Sequence, residues 1–148
     1  MQNRRTFIKA SGLFLASTAL ASPSFLIPKR KEKLGVALVG LGHYSTDLLA
    51  PALQLTKYCE LKGIVTGSPE KIPVWQQRYG IKSSNVYSYD TMHEMANNSE
   101  IDVVYIVLPN SLHKKYAVIA AEAGKHVWCE KPMALTASEC QAMINACD

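Results

Sequence analysis

Lys131 sits in the triplet Glu130-Lys131-Pro132, directly after the short apolar run His126-Val127-Trp128-Cys129. An ammonium at the end of a strand can orient a substrate hydroxyl, stabilise the alkoxide that precedes hydride departure and take part in proton transfer. By residue type alone, a solvated loop lysine paired with Glu130 explains the triplet at least as well. A second group lies far upstream, where Leu34-Gly35-Val36-Ala37-Leu38-Val39 runs into Gly40-Leu41-Gly42-His43-Tyr44-Ser45. A strand that breaks into a glycine turn and opens a helix is the arrangement by which a backbone grips a diphosphate. Gly40 permits the tight turn, and Gly42 lets the main chain approach the anion. The helix start offers unpaired N–H groups and a positive dipole end. Ser45 stands where a third small residue allows close helix–strand packing.

A third group, Thr66-Gly67-Ser68-Pro69-Glu70-Lys71, follows a β-branched run. A dinucleotide site specific for NAD usually places a carboxylate at this strand end to hold the ribose hydroxyls. None stands there. Ser68 can hydrogen-bond a 2′-phosphate and Lys71 can neutralise it, so the residue chemistry favours NADP, with NAD the alternative. The plainer account is that Ser68 only caps its helix and Lys71 is solvated surface.

These groups must be held by elements that bring them together. After Lys33 the chain alternates strand and helix patterns with short connections. Strands are expected at 34–39, 60–66, 85–88, 101–108 and 126–129. The run 101–108 reads as a strand buried on both faces. A helical pattern at 45–56 is interrupted by Pro51, which either starts a second piece or kinks the helix. Ser68 and Pro69 open a helix that stops at Gly80. Asp90 is expected to cap a helix ending near Asn97 and Asn98, Ser111 to open one that ends before Gly124, and Thr136 with Glu139 to form a capping box. This alternation predicts an α/β fold, a doubly wound, Rossmann-like parallel sheet with both faces covered. In such a sheet the ligand lies outside the carboxyl ends of the strands. The glycine turn, Thr66-Gly67-Ser68, Pro109-Asn110 and Glu130-Lys131-Pro132 all fall at such ends.

The chain has 148 residues, a formal net charge of +4 and 4 cysteines. Asn3-Arg4-Arg5-Thr6-Phe7-Ile8-Lys9, an apolar small-residue run and Ala19-Leu20-Ala21 read as a twin-arginine export signal over residues 1–21, which places the protein in the periplasm. An ordinary Sec signal or an uncleaved anchor is the alternative, although the apolar run is short for a stable membrane anchor. Residues 22–33 read as a linker, and 34–148 as one domain. Removing residues 1–21 takes away Arg4, Arg5 and Lys9 and no acid, which lowers the net charge from +4 to +1. Nucleic acid is therefore not an expected partner. The cysteines lack CxxC spacing and a His-rich neighbourhood, so no metal site is expected. Cys59 and Cys129 read as buried thiols.

Three stretches together are specific enough to name a family. Val36-Ala37-Leu38-Val39-Gly40-Leu41-Gly42, Asp102 to His113 and Gly124 to Pro132 make the chain after Lys33 resemble the N-terminal domain of the Gfo/Idh/MocA oxidoreductases, a family that takes its name from glucose–fructose oxidoreductase, inositol dehydrogenase and a rhizopine-catabolism protein. Gly42-His43-Tyr44-Ser45 and the stretch Thr66 to Lys71 look closest to the glucose–fructose oxidoreductase branch. That resemblance implies tightly held NADP, twin-arginine export and a sugar or polyol substrate, and a homo-oligomer is compatible with it. It implies that Gly40, Gly42, His43 and Tyr44 line the diphosphate and that Ser68 and Lys71 hold the adenosine phosphate. Leu108, Pro109, Asn110 and His113 would pack along the cofactor. Glu130 and Lys131 would sit by the nicotinamide ribose, with Lys131 the catalytic lysine. For His113 a plain capping or packing role is equally compatible with its place. The family also carries a substrate domain with an acid–base histidine, absent from these 148 residues, as is the last strand of a complete sheet. The expectation is a fragment or truncated reading frame of a longer enzyme, or else a dinucleotide-binding module without turnover. A methyltransferase shares the glycine turn but leaves Glu130-Lys131-Pro132 unexplained.

Overall fold

A computed structural model describes residues Lys31 to Asp148; the expected export signal and most of the expected linker lie outside the described residues. Five strands, β1 (Leu34–Val39), β2 (Cys59–Val65), β3 (Val86–Tyr87), β4 (Val103–Ile106) and β5 (His126–Cys129), form one sheet in the order β3-β2-β1-β4-β5. Every neighbouring pair is parallel. The order reverses at β1, so the crevice of a doubly wound sheet opens beside its carboxyl end. The expected fold class is the one found.

β1 is central because its residues have no polar side to show. Val36, Ala37, Leu38 and Val39 are completely buried, and successive side chains feed opposite faces. Ala37 and Val39 join Val104, Ile106, Met92, Met95, Tyr116, Ala117, Ala120 and Met143. Val36 and Leu38 join Ala50, Leu53, Leu61, Ile64 and Trp75. The second cluster is covered by α1 (Ala50–Gln54) and α2 (Ile72–Tyr79), and the first by α3 (Asn110–Glu122), α4 (Ala137–Cys147) and a 3₁₀ turn over Met92–Asn97.

The helix after β1 shows what Pro51 does. A proline ring clashes with the carbonyl four residues back and cannot donate to it. The chain meets this by widening into a π-helical segment, Ser45–Leu49, in which the Ala50 N–H donates to the Ser45 carbonyl, before α1 begins with Pro51 in its first turn. Other expected caps are filled differently. Ser68 stands at the start of a 3₁₀ turn, Pro69–Lys71, but its side chain makes no cap bond, and its N–H donates instead to Thr66 Oγ1 at 3.0 Å. Asp90 caps nothing: Thr91 precedes the 3₁₀ turn, and Ser88 Oγ accepts from the Asp90 and Thr91 N–H groups at 3.2 Å each. Thr136 does cap α4, accepting from the Glu139 N–H at 3.2 Å. Glu139 reaches back to the Leu135 N–H at 3.1 Å, one residue before the cap that a capping box would use. The central strand run is also shorter than 101–108, because the Ile101 N–H turns to Asn98.

The charged run before β1 is not all solvated. Lys31 Nζ donates to Asp102 Oδ1 at 2.6 Å, and Asp102 Oδ2 accepts the Gly35 N–H at 2.8 Å. Lys31 thereby pins the chain to the end of the sheet opposite the crevice. The four cysteines are free; Cys59, Cys129 and Cys140 are half-buried rather than buried.

Candidate functional site

Four loops meet at the carboxyl ends of β1, β2, β4 and β5. The glycine turn is held from three sides. The Gly40 N–H donates to the Val65 carbonyl at 3.0 Å, and the Val107 N–H donates to the Val39 carbonyl at 2.9 Å. Ser45, fully buried, donates its Oγ–H to the Gly40 carbonyl at 2.6 Å. Ser45 therefore does more than leave room for packing: it locks the turn to the helix that follows. Gly40 has φ +93°, and a Cβ there would lie 2.4 Å from the Val107 carbonyl oxygen. Gly42 is different. A Cβ on it would meet nothing within 4 Å.

The protein itself therefore gives no reason for glycine at position 42. The space in front of it is open, beside the first amides of a helix whose first bond runs from the Thr46 N–H to the Gly42 carbonyl at 2.9 Å. Those amides have no partner within the helix. A diphosphate fits this cradle, which a side chain would fill. His43 and Tyr44 are exposed on the rim, His43 within ion-pair reach of Asp47 one turn later.

Lys71 is brought to the same place. Its Nζ donates to the Leu41 carbonyl at 2.7 Å, across 30 residues of sequence. Rather than lying solvated on its own turn, the half-buried ammonium adds positive charge at the mouth of the glycine loop. The Ser68 hydroxyl, free of capping duty, lies in the loop that leads to it.

At the end of β4, Leu108 is half-buried, and Pro109 and Asn110 are exposed at the start of α3. His113 departs from what the resemblance implies. Its ring is completely buried, with Nε2 2.7 Å from the Leu108 carbonyl and Nδ1 2.9 Å from the Pro132 carbonyl. Both nitrogens face backbone carbonyls, so His113 turns neither toward the crevice. It stands between the β4 loop and the Glu130-Lys131-Pro132 loop from behind, and the Pro132 partner, 19 residues on, is not visible from the local sequence.

At the end of β5, the Glu130 N–H extends the ladder to the Ile106 carbonyl at 3.1 Å. Its Oε1 accepts the Tyr105 phenol at 2.5 Å, and its Oε2 accepts the Lys131 N–H at 3.3 Å. Lys131 is exposed, its bond to Pro132 is cis, and none of the described ion pairs involves it. The Glu130–Lys131 pairing that residue types suggest does not form. Burial, and then the neighbouring Glu130 carboxylate, push the Cys129 thiol up to about 11, so it stays protonated and is a poor nucleophile beside the lysine. Tyr105 is the participant that sequence reading missed, since it lies inside a run read only as buried strand.

Comparison with known proteins agrees with this geometry. Residues 34–148 match the family model described as an oxidoreductase family with an NAD-binding Rossmann fold. The chain is 34% identical over 113 residues to D-xylose 1-dehydrogenase [NADP(+)] of Haloarcula marismortui, covering 76% of this chain and 31% of that protein. It is 30% identical over 113 residues to inositol 2-dehydrogenase of Salmonella typhimurium, covering 76% of this chain and 33% of the relative. Among solved structures, aldose-aldose oxidoreductase from Caulobacter crescentus complexed with glycerol superposes with a TM-score of 0.76 at 45% identity, over 78% of this chain and 34% of that one. The chain thus spans about a third of the length of these relatives. With its glycine cradle, strand order and terminal lysine loop, this chain belongs to the GFO_IDH_MocA oxidoreductase family and comprises the NAD-binding Rossmann domain.

Proposed function

We propose that this chain is the NADP-holding domain of an exported oxidoreductase that moves hydride between the nicotinamide and a sugar or polyol. The observation that carries the cofactor half is the Lys71 ammonium, 2.7 Å from the glycine-loop carbonyl of Leu41, in the loop after a strand with no carboxylate directly at its end. An acid there would repel a 2′-phosphate, whereas an ammonium beside it attracts one. The relative named for NADP(+) supports the same choice, and the relatives named for xylose, inositol and aldoses support the substrate class.

A bound nicotinamide supplies the hydride acceptor or donor. The chain's own residues supply the rest. Helix amides and the Gly42 clearing would hold the diphosphate, Ser68 and Lys71 the adenosine phosphate, and Leu108, Pro109 and Asn110 would form the wall beside the ring. Glu130 would lie beside the ribose, and Lys131 would hold the substrate hydroxyl and share in the movement of its proton.

Fluorescence titration tests the cofactor reading. NADPH is expected to bind about tenfold more tightly than NADH, which corresponds to about 1.4 kcal/mol. Lys71→Ala is expected to remove most of that preference while leaving NADH affinity close to wild type. Equal binding of both coenzymes, or binding of neither, overturns the reading.

Export rests on the arginine pair ahead of the apolar run. Cell fractionation is expected to recover the chain from the periplasm, and an Arg4→Lys/Arg5→Lys variant from the cytoplasm. Equal distribution of the two would remove the twin-arginine assignment.

A further inference from the structure

Glu130 and Lys131 are sequence neighbours of opposite charge at the rim of the site, and neighbours of this kind pair readily. Here they do not: no described carboxylate is paired with the Lys131 ammonium. The reason lies in β4. Tyr105 stands opposite Trp128 in the parallel register, their rings edge to face at 5.8 Å and 84°. That packing fixes the direction of the phenol, which donates to Glu130 Oε1 at 2.5 Å. Glu130 Oε2 accepts the Lys131 N–H, and the Glu130 N–H is spent on the Ile106 carbonyl. The carboxylate is therefore turned back onto strand and backbone, with both oxygens engaged.

We infer that Tyr105 is a positioning residue that holds the Glu130 carboxylate away from the neighbouring ammonium, so that Lys131 stays free for the substrate. Burial first, and the hydrogen bond to Glu130 second, push the phenol's ionisation well above its ordinary range, so Tyr105 remains a proton donor at any working pH. Remove the hydroxyl and the half-buried Glu130 loses the donor to its Oε1. The cheapest replacement is the ammonium of the next residue. Lys131 then folds back onto Glu130 and leaves the place where the proposed reaction needs it. The inference about catalysis rests on the function proposed above, but the side-chain arrangement does not.

The test uses the 148-residue chain and reads Lys131 directly. Limited acetylation with acetic anhydride, followed by mass spectrometry, gives the reactivity of Lys131 relative to the exposed Lys114 of the same molecule. Tyr105→Phe keeps the ring against Trp128 and removes only the donor. It is expected to slow acetylation of Lys131 by about threefold, the size of a partly exposed ion pair. Tyr105→Phe/Glu130→Gln is expected to restore the wild-type rate, because a neutral amide cannot capture the ammonium. A general loosening of the site would be made worse by the second change, not rescued. Unchanged Lys131 reactivity in Tyr105→Phe, or a slowed rate that Glu130→Gln fails to restore, overturns the inference. The coenzyme titration fails or succeeds independently: a chain that binds no coenzyme can still show the rescue, and a chain that binds NADPH can still lack it.

Discussion

Gly42→Val is expected to leave the fold standing and to remove coenzyme binding, whereas Gly40→Ala, two residues earlier and a smaller change, is expected to damage the fold itself. The difference follows from what surrounds each Cα. Gly40 has φ +93°, where L side chains are strained, and its Cβ would overlap the Val107 carbonyl oxygen at 2.4 Å and Leu108 Cδ2 at 2.7 Å. The leucine terminus can move, but the carbonyl is backbone at the end of β4, where the Val107 N–H is already bonded to Val39. Strain and overlap together are expected to cost about 3–5 kcal/mol, enough to unfold a marginal domain.

Gly42 faces open space, with nothing within 4 Å of a Cβ. Valine there should change stability by less than about 1 kcal/mol. Its methyl groups would, however, stand where the proposed diphosphate would touch the helix amides. A loss of NADPH affinity of at least about 100-fold is expected, equivalent to about 2.7 kcal/mol. Urea denaturation followed by circular dichroism measures the first effect and nucleotide fluorescence the second. A Gly42→Val chain that is folded and still binds NADPH would place the diphosphate elsewhere and end the functional reading.

Why the two glycines differ was only half legible in the sequence. The turn itself was, because an uninterrupted apolar run ending in glycine has few other readings, and β1 and β5 fall where the pattern puts them. The topology followed from alternation alone, since parallel strands need crossovers and helices supply them. What stayed hidden depends on partners distant in the chain. Lys71 is visible as a charge, but its bond to Leu41 spans 30 residues. His113 looked like a helix-start histidine until the fold placed the Pro132 carbonyl, 19 residues on, against its Nδ1. Tyr105 and Glu130 are 25 residues apart and meet only because β4 and β5 pair in register. Two of the local caps, at Ser68 and Asp90, failed for a simpler reason. Ser68 and Asp90 have suitable chemistry, but Thr66 and Ser88 supply the hydroxyl oxygens that their own N–H groups use, so the turns close without those side chains.

In an oxidoreductase that carries this domain and performs the proposed hydride transfer, Lys131→Met is expected to reduce turnover by about 100-fold to 10,000-fold, the usual range for losing a positioned acid–base group. NADPH affinity is expected to stay within about threefold, because the residues proposed to hold the diphosphate and the adenosine phosphate lie at the β1 and β2 ends of the crevice while Lys131 lies at the β5 end. Methionine keeps the length and the apolar stem, so the loop held by His113 and Glu130 should not move. Lys131→Arg separates the two things an ammonium can do. A guanidinium retains the positive charge that orients a hydroxyl and steadies an alkoxide, but it does not give up a proton at accessible pH. A Lys131→Arg enzyme that recovers most of the lost rate would make the role electrostatic. One as slow as Lys131→Met would make proton transfer the larger part. Single-turnover hydride transfer, followed by nicotinamide absorbance alongside a coenzyme titration of each variant, distinguishes these outcomes. Full activity in Lys131→Met would remove the lysine from the chemistry altogether and leave the loop as no more than a wall of the coenzyme crevice.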